Sequence, residues 1–136
     1  MEIKLMKSDL RFQKRCIYRL NIRHSNFFLE KGDFGICSAD NTLITPYNIN
    51  CCRMLLKREL KKKGRVHVRC NFNIPKTIKS TGVRMGKGKG DIDHYLGHLS
   101  KNDCFLEIKG VSKLLGLKLF RKISYKLPFR IKILDL

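Results

Sequence analysis

The segment from Gly82 to Gly90 has the composition of a phosphate-contacting loop. Four of its nine residues are glycine, three are basic and none is acidic. Glycine lets another molecule approach the backbone closely, and lysine between glycines adds positive charge to the same surface. The segment is therefore poorly suited to a hydrophobic core and well suited to lying against phosphate groups.

Two familiar nucleotide-binding patterns do not fit this segment. A Walker A loop ends in lysine followed by serine or threonine, and no such pair closes the motif here. A dinucleotide-binding loop leads into a helix, whereas Asp91 and Asp93 follow the last glycine. We therefore predict no small-molecule substrate and no cofactor. A flexible linker is the simpler alternative for the segment.

The charge of the chain indicates a polyanionic partner. Thirty Lys and Arg against eleven Asp and Glu give a net charge of +19 over 136 residues, a length typical of one domain. The basic residues recur in blocks along the chain, so one disordered tail does not account for them. A merely well-solvated surface usually mixes both signs. No run of about twenty apolar residues exists, so no membrane span is predicted.

Metal-binding patterns are weak. None of the six cysteines belongs to a CxxC pair, and Cys51 and Cys52 are adjacent, whereas zinc ligands usually lie about two to four residues apart. His94 and His98 with Cys104 could be imagined as a metal site, but two histidines without a committed third ligand are more often surface residues. We predict no metal, and free, mostly buried thiols in a reducing compartment.

Catalytic patterns are weak as well. Cys70 and His67 would lie on opposite faces of a strand, which prevents the contact that a nucleophile and its base require. Acidic residues are few and scattered, so paired carboxylates are absent. The sequence therefore gives no support to enzymatic activity.

Residues 45–64 carry the clearest helix signal. Thr45 and Pro46 are typical of an N-cap and a first helical position, and Gly64 is a natural C-terminal stop. Apolar residues recur between them at helical spacing. The positions predicted to be apolar and inward-facing are Ile49, Cys52, Leu55, Leu56 and Leu60.

A ladder of like charges runs beside this apolar arc. Two basic residues at positions i and i+4 repel each other and destabilise a helix by a few tenths of a kcal/mol per pair. Binding of a polyanion would remove this repulsion. The chain has no homeodomain, zinc-finger or RNP signature, which favours recognition of folded RNA by shape and backbone. A solvated helix face is the alternative. The predicted RNA-binding residues on the helix and the following strand are Arg53, Lys57, Arg58, Lys61, Lys62, Arg65 and Arg69.

Strict alternation over residues 65–72 predicts one half-buried strand with Arg65, His67 and Arg69 on its outer face. A long loop over residues 73–92 would then carry the glycine–lysine segment.

The remaining pattern predicts four further regions. They are one or two short strands within 27–38, two strands near 94–100 and 104–109, a helix over 111–126 with Leu115, Leu119 and Ile123 buried, and a final strand over 129–133. Strands interleaved with two helices predict an α+β fold, with both helices packed on one face of a mainly antiparallel or mixed sheet. We expect residues 1–28 to form a basic N-terminal arm and residues 29–136 to form a single domain.

The glycine–lysine segment also resembles a known signature. The residues that carry it are Arg84, Met85, Gly86, Lys87, Gly88, Lys89 and Gly90. They resemble the signature of the bacterial and organellar ribosomal protein family L-sixteen, of the large subunit. The resemblance runs in order from about residue 29 to residue 134, through segments 32–35, 44–53, 61–69, 110–112 and 126–128. Two positions depart from it: the family usually has tryptophan where His67 stands, and another aromatic residue, commonly tryptophan, where Tyr95 stands.

This resemblance implies a structural constituent of the ribosome rather than an enzyme. A member of the family would bind large-subunit rRNA beside the aminoacyl-tRNA site, close to the peptidyl transferase centre. Its partners would be rRNA, tRNA and neighbouring large-subunit proteins. The segment 84–90 would approach the acceptor end of tRNA, and the basic helix face with Arg65 and Arg69 would bind rRNA.

The amino-acid usage adds a hint about location. Alanine occurs once, at Ala39, whereas isoleucine, asparagine and lysine are plentiful. Such a bias fits an AT-rich organellar genome, so a mitochondrial ribosome is the expected location, with a plastid as the less favoured one. The alternative function is a free-standing organellar nucleic-acid-binding protein of the nucleoid type.

Overall fold

A computed structural model describes residues 28–61 and 63–135 of the chain. Within these residues seven strands and two helices follow one another. In chain order they are β1 (Phe34–Ser38), β2 (Thr42–Ile44), α1 (Pro46–Leu60), β3 (Arg65–Val68), β4 (Phe72–Ile78), β5 (Asp91–Leu99), β6 (Cys104–Lys109), α2 (Lys113–Ser124) and β7 (Ile131–Asp135).

The strands form two antiparallel sheets. The first has four strands in the order β3-β6-β1-β7, and the second has three in the order β2-β5-β4. The predicted α+β class is confirmed, with the strands divided between two sheets instead of one. The turn at 101–103 connects β5 to β6, so the chain changes sheets there.

One hydrophobic core joins both helices to both sheets. From α1 it takes Ile49, Cys52, Leu56 and Leu60, all predicted to be apolar and inward-facing. Phe105 of β6 is fully buried in the same core and meets the ring of Phe129 edge-to-face at 6.0 Å. The basic side chains therefore surround a well-packed apolar interior.

The predicted strand over 65–72 is wrong in its extent. β3 ends at Val68, and Phe72 begins β4 in the other sheet, where it lies opposite Gly97. Alternation of side chains continues through a change of sheet, because each half has its own buried face. The pattern alone therefore does not show where the chain leaves one sheet for the other.

The predicted loop over 73–92 is also wrong in its extent. β4 continues to Ile78 and β5 begins at Asp91, so the segment between the strands is 79–90. Pro75 argues against a strand in the sequence, but β4 lies at the edge of its sheet. At an edge, a proline that lacks an N–H group is tolerated.

Helix α2 is shorter than predicted, and one of its inward positions is different. Leu119 and Ile123 are buried as expected, but Leu115 is 36% exposed and Gly116 is buried in its place. A Cβ atom on Gly116 would lie 3.4 Å from the ring of Phe34, so the glycine brings the helix close to β1. The last strand likewise begins and ends two residues later than predicted, at Ile131–Asp135.

No helix among the described residues is long and apolar enough to cross a membrane.

We expect the cap at Thr45 to matter for the stability of α1. The Thr45 hydroxyl oxygen accepts a hydrogen bond from the backbone N–H of Asn48 at 3.2 Å. Replacing Thr45 with Ala should lower the free energy of unfolding by about 1 kcal/mol, whereas Thr45→Ser should keep most of it. Urea denaturation of both variants measures this difference, and equal losses for Ala and Ser would contradict the role of the hydroxyl.

Candidate nucleic-acid interface

The basic side chains of α1 lie on the flank that faces away from α2. Arg53, Lys57 and Lys61 follow one another at four-residue steps, and Glu59 lies about 160° around the helix from Lys61. The carboxylate of Glu59 faces α2, where the Lys122 ammonium contacts it at 2.9 Å. The acidic residue of α1 is thus held on the side opposite the ladder.

Exposure along this flank rises toward the end of the helix. Lys57, Arg58 and Lys61 are exposed, and Arg53 is half-buried. Lys62, which was also predicted to bind RNA, lies outside the described residues. Cations in the last turn are favoured because the helix dipole is negative there. The same dipole therefore favours a dense group of positive charges at this end of α1.

The start of β3 extends this positive surface. Arg65 is exposed and lies directly opposite Lys109 of β6, which is exposed as well. Like charges facing each other across two strands repel. Lys63, also exposed, is close by, because its carbonyl oxygen would lie 3.1 Å from a Cβ atom on Gly110.

We define the basic flank as the residues that these contacts bring together. They are Arg53, Lys57, Arg58, Lys61, Lys63, Arg65 and Lys109. Lys63 and Lys109 are not among the residues that the sequence predicted to bind RNA. The run of lysines at 61–63 was a usable signal for Lys63, but only the register of β3 with β6 brings Lys109 to this surface.

Arg69 has a different environment from the rest of the predicted RNA-binding residues. Its side chain is only 11% exposed, and its Nη1 atom lies 2.8 Å from Oε1 of Glu107, which is 1% exposed. Its Nη2 atom lies 2.8 Å from Oε1 of Glu30. The guanidinium also donates to the Phe28 carbonyl oxygen at 2.6 Å and covers the Phe28 ring at 5.1 Å from its centroid. Its positive charge is therefore largely paired with carboxylates of the protein itself.

Glu107 completes this network by binding the backbone of residues 30–32. Its two carboxylate oxygens accept hydrogen bonds from the backbone N–H groups of Glu30, Lys31 and Gly32 at 3.0, 2.9 and 3.0 Å. We call Glu107, Arg69 and the segment 28–32 the carboxylate anchor. It attaches the segment that precedes β1 to the edge of the first sheet formed by β3 and β6.

The anchor also explains the ionisation of Glu107. Burial alone would raise the pKa of this carboxyl group, but the backbone N–H groups of Glu30 and Lys31 and the Arg69 guanidinium favour the charged form. The net result is a pKa below its ordinary value of 4.5. Glu107 is therefore a carboxylate at neutral pH in spite of its burial.

The glycine–lysine segment lies at the end of the β4–β5 hairpin. Ile78 pairs with Asp91 at the base of the hairpin, and residues 81–89 are all exposed. Gly86 and Gly88 have φ angles of 92° and 76°, and a Cβ atom on either would meet nothing within 4 Å. Glycine is needed there for the backbone conformation and not for lack of space. The Met85 side chain is 98% exposed.

The described residues contain no group of three or more His, Cys, Asp or Glu side chains that could hold a metal ion. His94 lies beside Asp93, with its Nδ1 atom 2.7 Å from a carboxylate oxygen. Burial raises the pKa of the Cys70 thiol to about 12, so this thiol is not an activated nucleophile. The five described cysteines are free, and they are mostly buried, as predicted: Cys51 is half-buried, and Cys37, Cys52, Cys70 and Cys104 are buried.

We expect Glu107→Gln to lower the free energy of unfolding by about 3 kcal/mol, because it leaves the mostly buried Arg69 without its buried counter-charge. Glu59→Gln, which breaks an exposed ion pair with Lys122, is the matched control and should have a much smaller effect. Urea denaturation measures both, and similar losses would contradict the special role of Glu107.

The ion pair between Glu107 and Arg69 also predicts how stability depends on pH. A group whose pKa is lower in the folded than in the unfolded state stabilises the fold when the pH is above the unfolded pKa, here about 4.5. This stabilisation is lost as the pH falls through the folded pKa. The difference in unfolding free energy between the native chain and Glu107→Gln should therefore shrink as the pH drops below 4.5. A difference that stays constant in that range would rule out the ionised anchor.

Comparison with known proteins identifies the family. A family model for ribosomal protein L16p/L10e matches residues 8–134. The large ribosomal subunit protein uL16 of Fusobacterium nucleatum is 32% identical over 110 residues, covering 81% of this chain and 77% of the relative. Its counterpart in Cereibacter sphaeroides is 35% identical over 107 residues, covering 79% and 78%. That of Mesomycoplasma hyopneumoniae is 30% identical over 110 residues, covering 81% of each.

The family match spans nearly the whole chain, and the relatives share a third of their residues with it over most of their length. The resemblance predicted from the glycine–lysine segment is confirmed, and the family is one of structural ribosomal proteins and not of enzymes. The chain belongs to the ribosomal protein L16p/L10e family.

Proposed function

We propose that this chain is a structural protein of the large ribosomal subunit that binds rRNA and helps to position tRNA beside the peptidyl transferase centre. The observation that carries the proposal is the family match over residues 8–134, together with relatives named as large ribosomal subunit proteins. The net charge of +19 supports a nucleic-acid partner. Nothing specific to the chain favours a free-standing nucleoid protein over this assignment.

The basic flank is the proposed rRNA contact. Its cations sit on two elements, the end of α1 and the β3–β6 edge, so they form a surface and not a single row. The repulsion between Arg65 and Lys109 and along the α1 ladder is relieved when phosphates lie between the charges. We also keep Lys62 in this contact as a prediction from its sequence position.

Arg69 takes a different part in this proposal. Because its guanidinium is held by Glu107 and Glu30, it is not offered to phosphate as the flank residues are. It acts on RNA binding by fixing the segment 28–32, which follows a basic stretch of the sequence. Residues 1–31 contain Arg11, Lys14 and Arg15 among their cations.

The segment from Arg84 to Gly90 is the proposed tRNA-proximal loop. Its exposure and its position at the end of the β4–β5 hairpin support contact between its cations and a partner RNA. Positive-φ glycines let the backbone itself approach an acceptor strand, and Lys87 and Lys89 supply charge beside it. This loop lies on the second sheet, whereas the basic flank lies on α1 and the first sheet. The protein can therefore use separate surfaces for the two RNAs.

We further propose that the ribosome in question is mitochondrial. The support is the amino-acid usage, with a single alanine and abundant isoleucine, asparagine and lysine, which fits an AT-rich organellar genome.

The rRNA contact predicts a site-specific salt dependence. Replacing Lys57 and Lys61 with Gln should lower the slope of log affinity against log salt by about 0.7–0.9 per lost phosphate contact. Lys101→Gln with Lys126→Gln removes the same charge from exposed positions elsewhere and is the matched control. Filter binding of the full chain to large-subunit rRNA over a salt series measures both. Equal slopes for the two double variants would show that net charge, and not the flank, governs binding.

The loop predicts an effect on tRNA without an effect on folding. Replacing Lys87 and Lys89 with Ala should reduce aminoacyl-tRNA binding to reconstituted ribosomes several-fold, because two cations beside the acceptor end are lost. The thermal midpoint of the isolated chain should be unchanged, since both side chains are exposed. Lys101→Ala with Lys126→Ala serves as the control. Normal tRNA binding by ribosomes that carry the loop variant would contradict this assignment.

A further inference from the structure

Exposed apolar side chains lie on the outer face of α2. Gly116, Leu119 and Ile123 face the core. On the opposite side, Leu114 is 76% exposed and Leu117 is 43% exposed. Isolated exposed leucines are ordinary on a protein surface, but apolar residues that share one helix face are typical of an interaction site.

The same face continues into the residue that ends the helix. Tyr125, the C-cap of α2, is 87% exposed and lies about 20° around the helix from Leu114. Lys118 and Arg121 lie within about 40° of Leu114 on the same side. Tyrosine and arginine are enriched among the residues that dominate protein interfaces. We call Leu114, Leu117, Lys118, Arg121 and Tyr125 the α2 outer face.

The charges of this face are not neutralised by the neighbouring elements. Helix α2 contains no acidic residue. Its flanking lysines are paired, Lys113 with Asp135 at 2.9 Å and Lys122 with Glu59 at 2.9 Å. Within residues 28–61 and 63–135, the structure gives no salt bridge to Lys118 or Arg121. A partner with carboxylates would complement them.

We propose that the α2 outer face is the docking surface for a neighbouring protein of the large subunit, through a segment that is both acidic and apolar. This inference rests on the proposed ribosomal function. Removal of the apolar side chains from water by a partner is favourable, and acidic groups of the partner meet Lys118 and Arg121.

Two other occupants fit this face less well. An RNA backbone would neutralise the two cations but would leave the leucines against hydrated phosphate and ribose, with little apolar area buried. A second copy of this chain would bring Lys118 and Arg121 near the same cations of the partner, and like charges across an interface are unfavourable. The mixture of leucine, tyrosine and cations therefore favours an acidic protein segment.

Photo-crosslinking in the assembled subunit tests this proposal. The chain is prepared with benzoylphenylalanine at position 117 in place of Leu117 and is incorporated into large subunits stripped of the native protein. Irradiation should give an adduct with a protein, and mass spectrometry should place the crosslink in a peptide of net negative charge. Charge reversal by Lys118→Glu with Arg121→Glu should lower the yield of that adduct several-fold.

A second crosslinker position, on α1, distinguishes a failure of the docking proposal from a failure of the proposed rRNA contact. Met54 is 72% exposed on the outer side of α1, beside the basic flank, and benzoylphenylalanine there should crosslink to rRNA. An RNA adduct at position 117, a crosslink to a basic peptide, or no adduct at all while position 54 reacts with RNA would overturn the docking proposal. Absence of an RNA adduct at position 54 would instead count against the proposed rRNA contact.

Discussion

The buried carboxylate of Glu107 holds together parts of the chain that lie far apart in sequence. It binds three successive backbone N–H groups at residues 30–32 and the guanidinium of Arg69. A buried charge is costly unless it is fully paired, so these contacts must form together. The consequence is a fixed geometry at the β3–β6 edge. Arg65 and Lys109 of the basic flank lie on the two strands of that edge.

Local signals in the sequence were sufficient for part of this structure. Thr45 and Pro46 predicted the start of α1 because capping is a property of neighbouring residues. The composition of the glycine–lysine segment, which is likewise a local property, predicted that it would not join the hydrophobic core, and residues 81–89 are exposed. Contacts between distant residues were not predictable. The pairing of Arg69 with Glu107, and the arrival of Lys109 opposite Arg65, follow from the register of β3 with β6 and leave no periodic signal.

The incorrect predictions share one physical cause, because contacts with distant parts of the chain override the local sequence pattern. Pro75 is compatible with a strand only because β4 is an edge strand. Arg69 alternates with apolar residues like a solvent-facing cation, yet a buried acid on another strand draws it inward. The surface of the protein is accordingly divided by chemistry. One side carries the basic flank, the β4–β5 hairpin carries a glycine-rich cationic loop, and the outer face of α2 carries leucines with two cations.

As a member of this family, the chain should be a component of the large ribosomal subunit. Sedimentation of an epitope-tagged chain on a sucrose gradient in moderate salt, with cell or organelle extract from the source, measures whether it is one. The chain should follow the large subunit and the assembled ribosome, and the mitochondrial fraction should be enriched in it. Recovery of the chain at the top of the gradient, apart from both, would show that it is not a ribosomal component.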